Sequence, residues 1–123
     1  MAEYKNPFIE ERADPFITRG ADGTCYFTAS YPASGDELHG YDRIILRKSP
    51  TVAGLAAAEE KAVWTAHRDG VMSRHIWAPE LHFIGGKWYI FFSDKMHDLP
   101  LLQPGNIPFF LGASVSYDKI IVF

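Results

Sequence analysis

Two short segments rich in β-forming residues, each divided by a glycine-containing turn, restrict the fold of this chain more than any other feature. The first covers residues 15–31 with the turn Asp22-Gly23, and the second covers residues 80–93 with the turn Gly85-Gly86. Asp-Gly and Gly-Gly supply the positive φ angles that tight hairpins need, and aromatic and β-branched residues favour strands. The sequence therefore predicts two antiparallel β-hairpins.

The remaining chain offers one further strand and no convincing helix. The predicted strands are residues 15–18, 25–31, 43–48, 80–84 and 87–93. The stretch 52–63 is rich in Ala and Glu, but it is short and Gly54 interrupts it, so we predict a helical turn or an ordered loop there. The fold class is therefore predicted to be all-β.

The two predicted hairpins resemble each other in sequence. At an offset of 63 to 64 residues, Pro15, Ile17, Gly23 and Tyr26 correspond to Pro79, Leu81, Gly86 and Tyr89. Repeated antiparallel units are typical of propeller blades, in which each sheet buries its faces only against its neighbours. The spacing is longer than the usual blade repeat, and four matched positions also arise by chance, so the repeat alone does not decide for a propeller.

Composition and charge exclude several classes of protein. The chain has 123 residues, 47% of them hydrophobic, and a net charge of −3 without a lysine or arginine run. One small globular domain is expected, and neither nucleic acid nor a membrane is a predicted partner. Cys25 is the only cysteine, which rules out an intrachain disulfide and a cysteine-based zinc site.

The two ends of the chain carry separate predictions. Residues 1–7 lack the apolar stretch of a secretory signal, so we expect a soluble, cytoplasmic product. Residues 94–123 contain three prolines without a clear period and finish on four apolar residues, 120–123. We therefore divide the chain into residues 1–93 and a divergent tail, 94–123. This tail is either an edge strand on the core or the mark of a truncation or frameshift near Asp94.

Two segments place carboxylates and aromatic side chains at the start of predicted strands. Residues 6–17 contain Asp14 directly before Pro15, and residues 73–82 contain His75, Trp77, Glu80 and His82. Taken alone, an aspartate before a proline is ordinarily a turn residue, and a tryptophan is ordinarily core. Two histidines seven positions apart form no recognised zinc ligand set, so we predict no metal and regard both as polar partners of Glu80.

Taken together, these segments resemble the opening of family 43 glycoside hydrolases. The likeness covers residues 6–93 and is most specific at Ala13-Asp14-Pro15 and at Trp77-Ala78-Pro79-Glu80. Residues 41–47 also resemble the sequence of a blade strand in this family, and residues 34–39 correspond to a loop insertion. Glu80 and His82 are most similar to the arabinofuranosidase side of the family. The chain is identified as an N-terminal fragment of such a protein.

The resemblance implies a five-bladed β-propeller, of which this chain would supply the first one to two blades. The family cleaves α-L-arabinofuranosidic or β-D-xylosidic bonds with inversion, using three carboxylates and no cofactor. Asp14 matches the general base that activates water, and the general acid belongs to a later blade, so Glu80 is not the acid. An inverting pair of carboxylates stands about 6.5–9.5 Å apart. The resemblance makes Trp77 a pocket wall for a pentose ring, with Glu80 and His75 as further substrate-binding residues.

Three hypotheses follow for this chain. The first is a glycoside hydrolase fragment that is inactive by itself, whose substrate is an arabinose- or xylose-containing oligosaccharide or polysaccharide. The second is a non-catalytic carbohydrate-binding module, and the third is a product without a stable fold. Under the first, the Asp14 carboxylate is predicted to face the propeller mouth close to Trp77.

Overall fold

The computed structural model describes residues 3–31, 40–70 and 72–93. It contains β1 (Ala13–Arg19), β2 (Cys25–Tyr31), β3 (Arg43–Ser49), a 3₁₀ helix (Ala53–Ala57), β4 (Lys61–Thr65), β5 (Trp77–Ile84) and β6 (Lys87–Ser93). The predicted tail, 94–123, and the predicted loop insertion, 34–39, lie outside the described residues. Nothing helical in the described ranges has the length and apolarity needed to span a bilayer.

The strands form two antiparallel sheets. The first has the order β1-β2-β3-β4, so that each strand pairs with the next one along the chain, and the second consists of β5 and β6. A four-stranded antiparallel meander is the usual build of a propeller blade. The all-β prediction is confirmed, and one complete four-stranded sheet followed by one hairpin agrees with the predicted one to two blades.

The sequence did not predict strand β4. Its residues follow a segment rich in Ala and Glu, which favour helices, and only the short 3₁₀ helix Ala53–Ala57 forms there. Residues Lys61–Thr65 instead pair with β3, with Trp64 opposite Ile44. Trp64 is 5% exposed. This strand therefore depends on long-range burial and pairing that the local composition does not reveal.

The two hairpin turns form as predicted, but by different means. Gly85 and Gly86 both have positive φ angles, of 57° and 82° respectively. In the longer first turn Gly23 is at φ 86°, and Asp22 contributes through its side chain, which accepts the Thr24 N–H at 2.9 Å and the Thr24 hydroxyl at 3.0 Å. These two hydrogen bonds, the backbone one first, lower the pKa of Asp22.

The predicted repeat is confirmed by the register of the two hairpins. The pairs Ala13↔Ser30, Phe16↔Thr28 and Ile17↔Phe27 in β1–β2 correspond to Trp77↔Ser93, Glu80↔Phe91 and Leu81↔Ile90 in β5–β6. Both hairpins shift register at the same place, immediately after the first of these pairs. The offset of 63 to 64 residues therefore relates two hairpins of the same construction.

Buried side chains form two clusters, one on each face of the first sheet. The inter-sheet core, which joins the two sheets, consists of Tyr26, Ile44, Leu46, Trp64, Ile76, Leu81, Ile90 and Phe92. The outer core consists of Cys25, Phe27, Ala29, Ile45 and Leu55. Residues on both faces of β2 and β3 are therefore buried, as expected for a sheet with packing on both sides.

An ionic network lies on the outer-core side of the first sheet. Glu60 accepts hydrogen bonds from Arg12 at 2.6 Å and from Arg47 at 2.9 Å, and all three side chains are less than one-fifth exposed. Burial would raise the pKa of Glu60, but the hydrogen bonds from the two arginines outweigh it, so this pKa lies below its ordinary value. The guanidinium carbons of Arg12 and Arg43 lie over the Tyr31 ring, at 4.1 Å and 4.5 Å from its centroid.

Candidate functional site

The two predicted site segments share an unusual backbone conformation. Asp14 and Ala78 each precede a proline and have φ angles of 49° and 51°. This left-handed conformation costs roughly 1–2 kcal/mol for a residue with a side chain, although aspartate adopts it more often than most. Such conformations persist where the surrounding structure holds them, and they cluster at binding and catalytic sites.

Ser30 joins these two strand entries. Its backbone pairs with Ala13 in β1, and its hydroxyl accepts the Ala78 N–H from β5 at 3.0 Å. Ser30 is completely buried. Because Asp14 follows Ala13 and Trp77 precedes Ala78, the structure brings both predicted segments together at one end of adjacent strands. That the Asp14 carboxylate itself lies close to the Trp77 ring stays a prediction.

Trp77 belongs to a group of aromatic rings at this end of the sheets. The His75 ring lies 5.6 Å from the Trp77 ring, and the Tyr41 ring meets it edge-on at 6.4 Å. Trp77 remains 36% exposed. We call Tyr41, His75 and Trp77 the aromatic cluster. A partly exposed aromatic surface beside polar groups is typical of small-molecule sites.

Sequence reasoning did not select Tyr41 as a site residue. The segment before β5 runs along the start of β3, where the Ile76 N–H donates to the Tyr41 carbonyl at 2.8 Å. This hydrogen bond places Tyr41 beside Trp77, although the two are far apart in sequence. No local pattern around Tyr41 marks it, because its role depends on how the two sheets pack.

The Glu80 side chain pairs with His82. Its carboxylate lies 2.9 Å from the imidazole of His82, and both side chains line an open groove of about 530 Å³ on the β5–β6 hairpin. The prediction that His82 is a polar partner of Glu80 is confirmed. Ala78 and Ser93 line the same groove, which therefore begins at the Trp77 end of β5. A role for Glu80 in binding substrate stays a prediction.

Asp14 itself is exposed, at the register shift where β1 begins. An exposed carboxylate at such a strand entry is able to accept a proton from a water molecule, provided that a second group completes the site. Within residues 3–31, 40–70 and 72–93, no three His, Cys, Asp or Glu side chains gather closely enough to hold a metal ion.

We predict that Gly40→Ala disturbs the aromatic cluster. Gly40 has a φ angle of 61°, and a Cβ at this position would overlap the His75 imidazole. Overpacking of this kind costs about 1–3 kcal/mol, in addition to the cost of alanine at positive φ. Urea denaturation followed by near-ultraviolet circular dichroism measures the loss.

Gly70→Ala is the matched control for this change. Gly70 also has positive φ, at 79°, but a Cβ there would meet no atom within 4 Å. The control therefore carries the backbone cost without the clash. Equal losses of stability in Gly40→Ala and Gly70→Ala would show that Gly40 is not required by His75.

Both site segments lie inside a stretch that matches one known family. Residues 4–102 match the model described as glycosyl hydrolases family 43. The chain belongs to this family. The match includes the bulged entries of β1 and β5, the aromatic cluster and Ser30.

Individual members of family 43 are similar to this chain over most of its length. It is 53% identical over 92 residues to an extracellular exo-alpha-(1->5)-L-arabinofuranosidase of Streptomyces chartreusis, which covers 75% of this chain and 26% of the relative. It is 47% identical over 88 residues to alpha-L-arabinofuranosidase 43 of Humicola insolens, with 72% and 17% of the two chains covered. A crystal structure of an alpha-L-arabinofuranosidase from Lactobacillus brevis superposes with a TM-score of 0.67 at 44% identity, covering 85% of this chain and 30% of that one.

These relatives are much longer than this chain, and one of them is named as extracellular. The chain spans between 17% and 30% of the length of the family 43 proteins just named. The Streptomyces chartreusis relative is described as extracellular, which does not agree with the cytoplasmic product that residues 1–7 predict. The location of this family 43 chain therefore stays a prediction.

Proposed function

We propose that this chain supplies the first blades and one wall of the active site of an α-L-arabinofuranosidase that acts on arabinose-containing polysaccharides. The observation that carries the proposal is the Ser30 contact, which places the Asp14 and Trp77 segments at the same end of adjacent strands. Relatives about half identical to the chain over roughly three-quarters of its length are named as arabinofuranosidases. Their names also support arabinose over xylose as the sugar.

In this proposal Asp14 is the general base. Its carboxylate accepts a proton from a water molecule as that water attacks the anomeric carbon, and the leaving oxygen receives a proton from a second carboxylate about 6.5–9.5 Å away. Glu80 is not assigned as this acid, because its carboxylate is in hydrogen-bond contact with the imidazole of His82. The acid comes from outside the described residues. The reaction needs only carboxylates and water, so the proposal includes no cofactor.

The aromatic cluster has the second role in the proposal. The exposed part of Trp77, flanked by His75 and Tyr41, offers an apolar surface for the C–H face of a pentose ring. Burying a large apolar side chain against a ligand contributes about 1.5–3 kcal/mol. The sugar would thereby be held while its anomeric carbon faces the water on Asp14.

A non-catalytic carbohydrate-binding module is the second candidate function. It is favoured by the aromatic cluster, all of whose members lie within the described residues. Both functions need sugar binding, whereas only the first needs Asp14 as a base. Binding without turnover in every longer form of the protein would favour the second.

We predict that Trp77→Ala weakens the binding of arabino-oligosaccharides to the 123-residue chain by about 1–3 kcal/mol. Titration followed by intrinsic fluorescence or calorimetry measures the dissociation constant. Xylo-oligosaccharides are titrated in parallel and should bind more weakly.

Trp88→Ala is the matched control for Trp77→Ala. Trp88 packs against Tyr26 at 4.8 Å and Phe83 at 5.1 Å, next to the Gly85-Gly86 turn at the other end of the hairpin. This control removes a tryptophan from the same hairpin without touching the aromatic cluster. Equal weakening in the two variants, or unchanged affinity in Trp77→Ala, would contradict the assignment of Trp77.

A further inference from the structure

Ser30 makes contacts with both strand entries that carry the proposed site. Through its backbone it pairs with Ala13, the residue before Asp14. Through its hydroxyl it accepts the N–H of Ala78, the residue after Trp77, at 3.0 Å. Ser30 has no exposed surface, so water does not compete for this hydroxyl. One buried residue, through its backbone on one side and its hydroxyl on the other, therefore connects the two strand entries of the site.

The hydrogen bond to Ala78 has a local cause. The register of β5 shifts between Trp77 and Glu80, and Ala78 has no partner residue in β6. Without a partner in β6, its N–H bonds to an acceptor elsewhere, as backbone donors normally do. The Ser30 hydroxyl supplies that acceptor from the neighbouring sheet. The bulge in β5 is thereby fixed to β2 instead of to its own partner strand.

We propose that Ser30 is a positioning residue, which sets the separation and orientation of Trp77 relative to Asp14 through the Ala78 N–H. This inference rests on the function proposed above. A sugar on the aromatic cluster must present its anomeric carbon to the water on Asp14, and errors of about 1 Å in such geometry are costly. Without the Ser30 hydroxyl, the entry of β5 is no longer fixed to that of β1.

If Ser30 only stabilised the fold, removing another buried hydroxyl from the same strand would weaken sugar binding equally. Thr28 lies in the same strand, is also completely buried, and donates its hydroxyl to the Ile45 carbonyl at 2.9 Å. That hydrogen bond stays within the first sheet and does not reach β5. Thr28→Val is therefore the matched control, because it removes a buried hydroxyl from β2 without releasing Ala78. Ser30→Thr retains the hydroxyl and should rescue the function that Ser30→Ala loses.

The experiment measures arabino-oligosaccharide binding to the 123-residue chain and its Ser30→Ala, Ser30→Thr and Thr28→Val variants. We expect Ser30→Ala to raise the dissociation constant about tenfold, the scale of one lost hydrogen bond, and to speed hydrogen exchange of the Ala78 amide. Ser30→Thr should restore both values. Thr28→Val should lower the unfolding midpoint without changing either. Unchanged affinity in Ser30→Ala, or equal weakening in Thr28→Val, overturns the proposal.

A second measurement separates this proposal from the proposed function. Acrylamide quenching of Trp77 is obtained without sugar, by difference from Trp77→Phe in each background. Ser30→Ala should change the quenching of Trp77, whereas Thr28→Val should not. If the unaltered chain binds no sugar, the proposed function fails, and the positioning of Trp77 by Ser30 is then supported by altered quenching and overturned by equal quenching.

Discussion

A protein consisting of residues 1–123 should hydrolyse neither chromogenic arabinofuranosides nor xylosides at a measurable rate. Inverting hydrolysis needs a proton donor opposite the base, and loss of such a group typically costs about 10²–10⁴-fold in rate. No glutamate follows Glu80 in the sequence, and the only later carboxylates are Asp94, Asp98 and Asp118. None of these three lies in sequence that resembles the later motifs of the family.

Steady-state assays with both chromogenic substrates test this prediction. Asp22→Asn is the matched control for Asp14→Asn, because Asp22 is an exposed carboxylate beyond the opposite end of β1. Turnover that survives in the chain and in Asp22→Asn but disappears in Asp14→Asn would contradict the prediction. It would mean that Glu80 or one of the three later aspartates acts as the acid.

Glu60→Gln should lower the free energy of unfolding by about 1–3 kcal/mol. The substitution removes the charge that pairs with Arg12 and Arg47, and the cost of breaking this partly buried ion pair lies between that of an exposed pair and that of a fully buried one. Glu59→Gln is the matched control, because Glu59 is 80% exposed and lies 3.9 Å from Lys61. The control should change stability by less than about 0.5 kcal/mol. Equal losses in the two variants would show that the network contributes little.

The Glu60 network also predicts a dependence of stability on pH. Because the pKa of Glu60 is lower in the folded than in the unfolded state, the unfolded state binds more protons, and stability rises with pH across this range. The contribution is complete above the ordinary pKa of 4.5 and is lost as the pH falls through the folded pKa. The difference between the unaltered chain and Glu60→Gln should therefore shrink below about pH 4.5. Parallel stability curves would argue against it.

The hairpins could be predicted from sequence because their signals are local. Gly85-Gly86 and Asp22-Gly23 fix the turns, and the residues on either side have β-forming side chains. Strand β4 could not be predicted in this way, since what stabilises it is the burial of Trp64 against Phe92, whose rings lie 5.0 Å apart. Residues from two sheets create that environment, and neither segment contains it alone.

The candidate site, like the fold, could be predicted from the sequence only in part. Asp14 and Trp77 stand in motifs that the sequence shows directly, and His75 lies close to Trp77 along the chain. Tyr41 reaches the site through a contact between the sheets, and Ser30 through strand pairing together with such a contact, and no spacing in the sequence indicates either. Polar residues that join separate elements are therefore the part of such a site that sequence reasoning misses.

The bulge at the start of β1 has a consequence for the chain that precedes it. Successive residues of a strand point to opposite faces, and the bulge shifts the phase of that alternation by one. Arg12 lies two residues before Asp14 and contacts Tyr31 and Glu60 with this phase. Removing one residue between Arg12 and Pro15 would turn the guanidinium towards the opposite face and release it from Glu60. The proposed base is thus held in a segment whose length is fixed by an ion pair on one side and by a proline on the other.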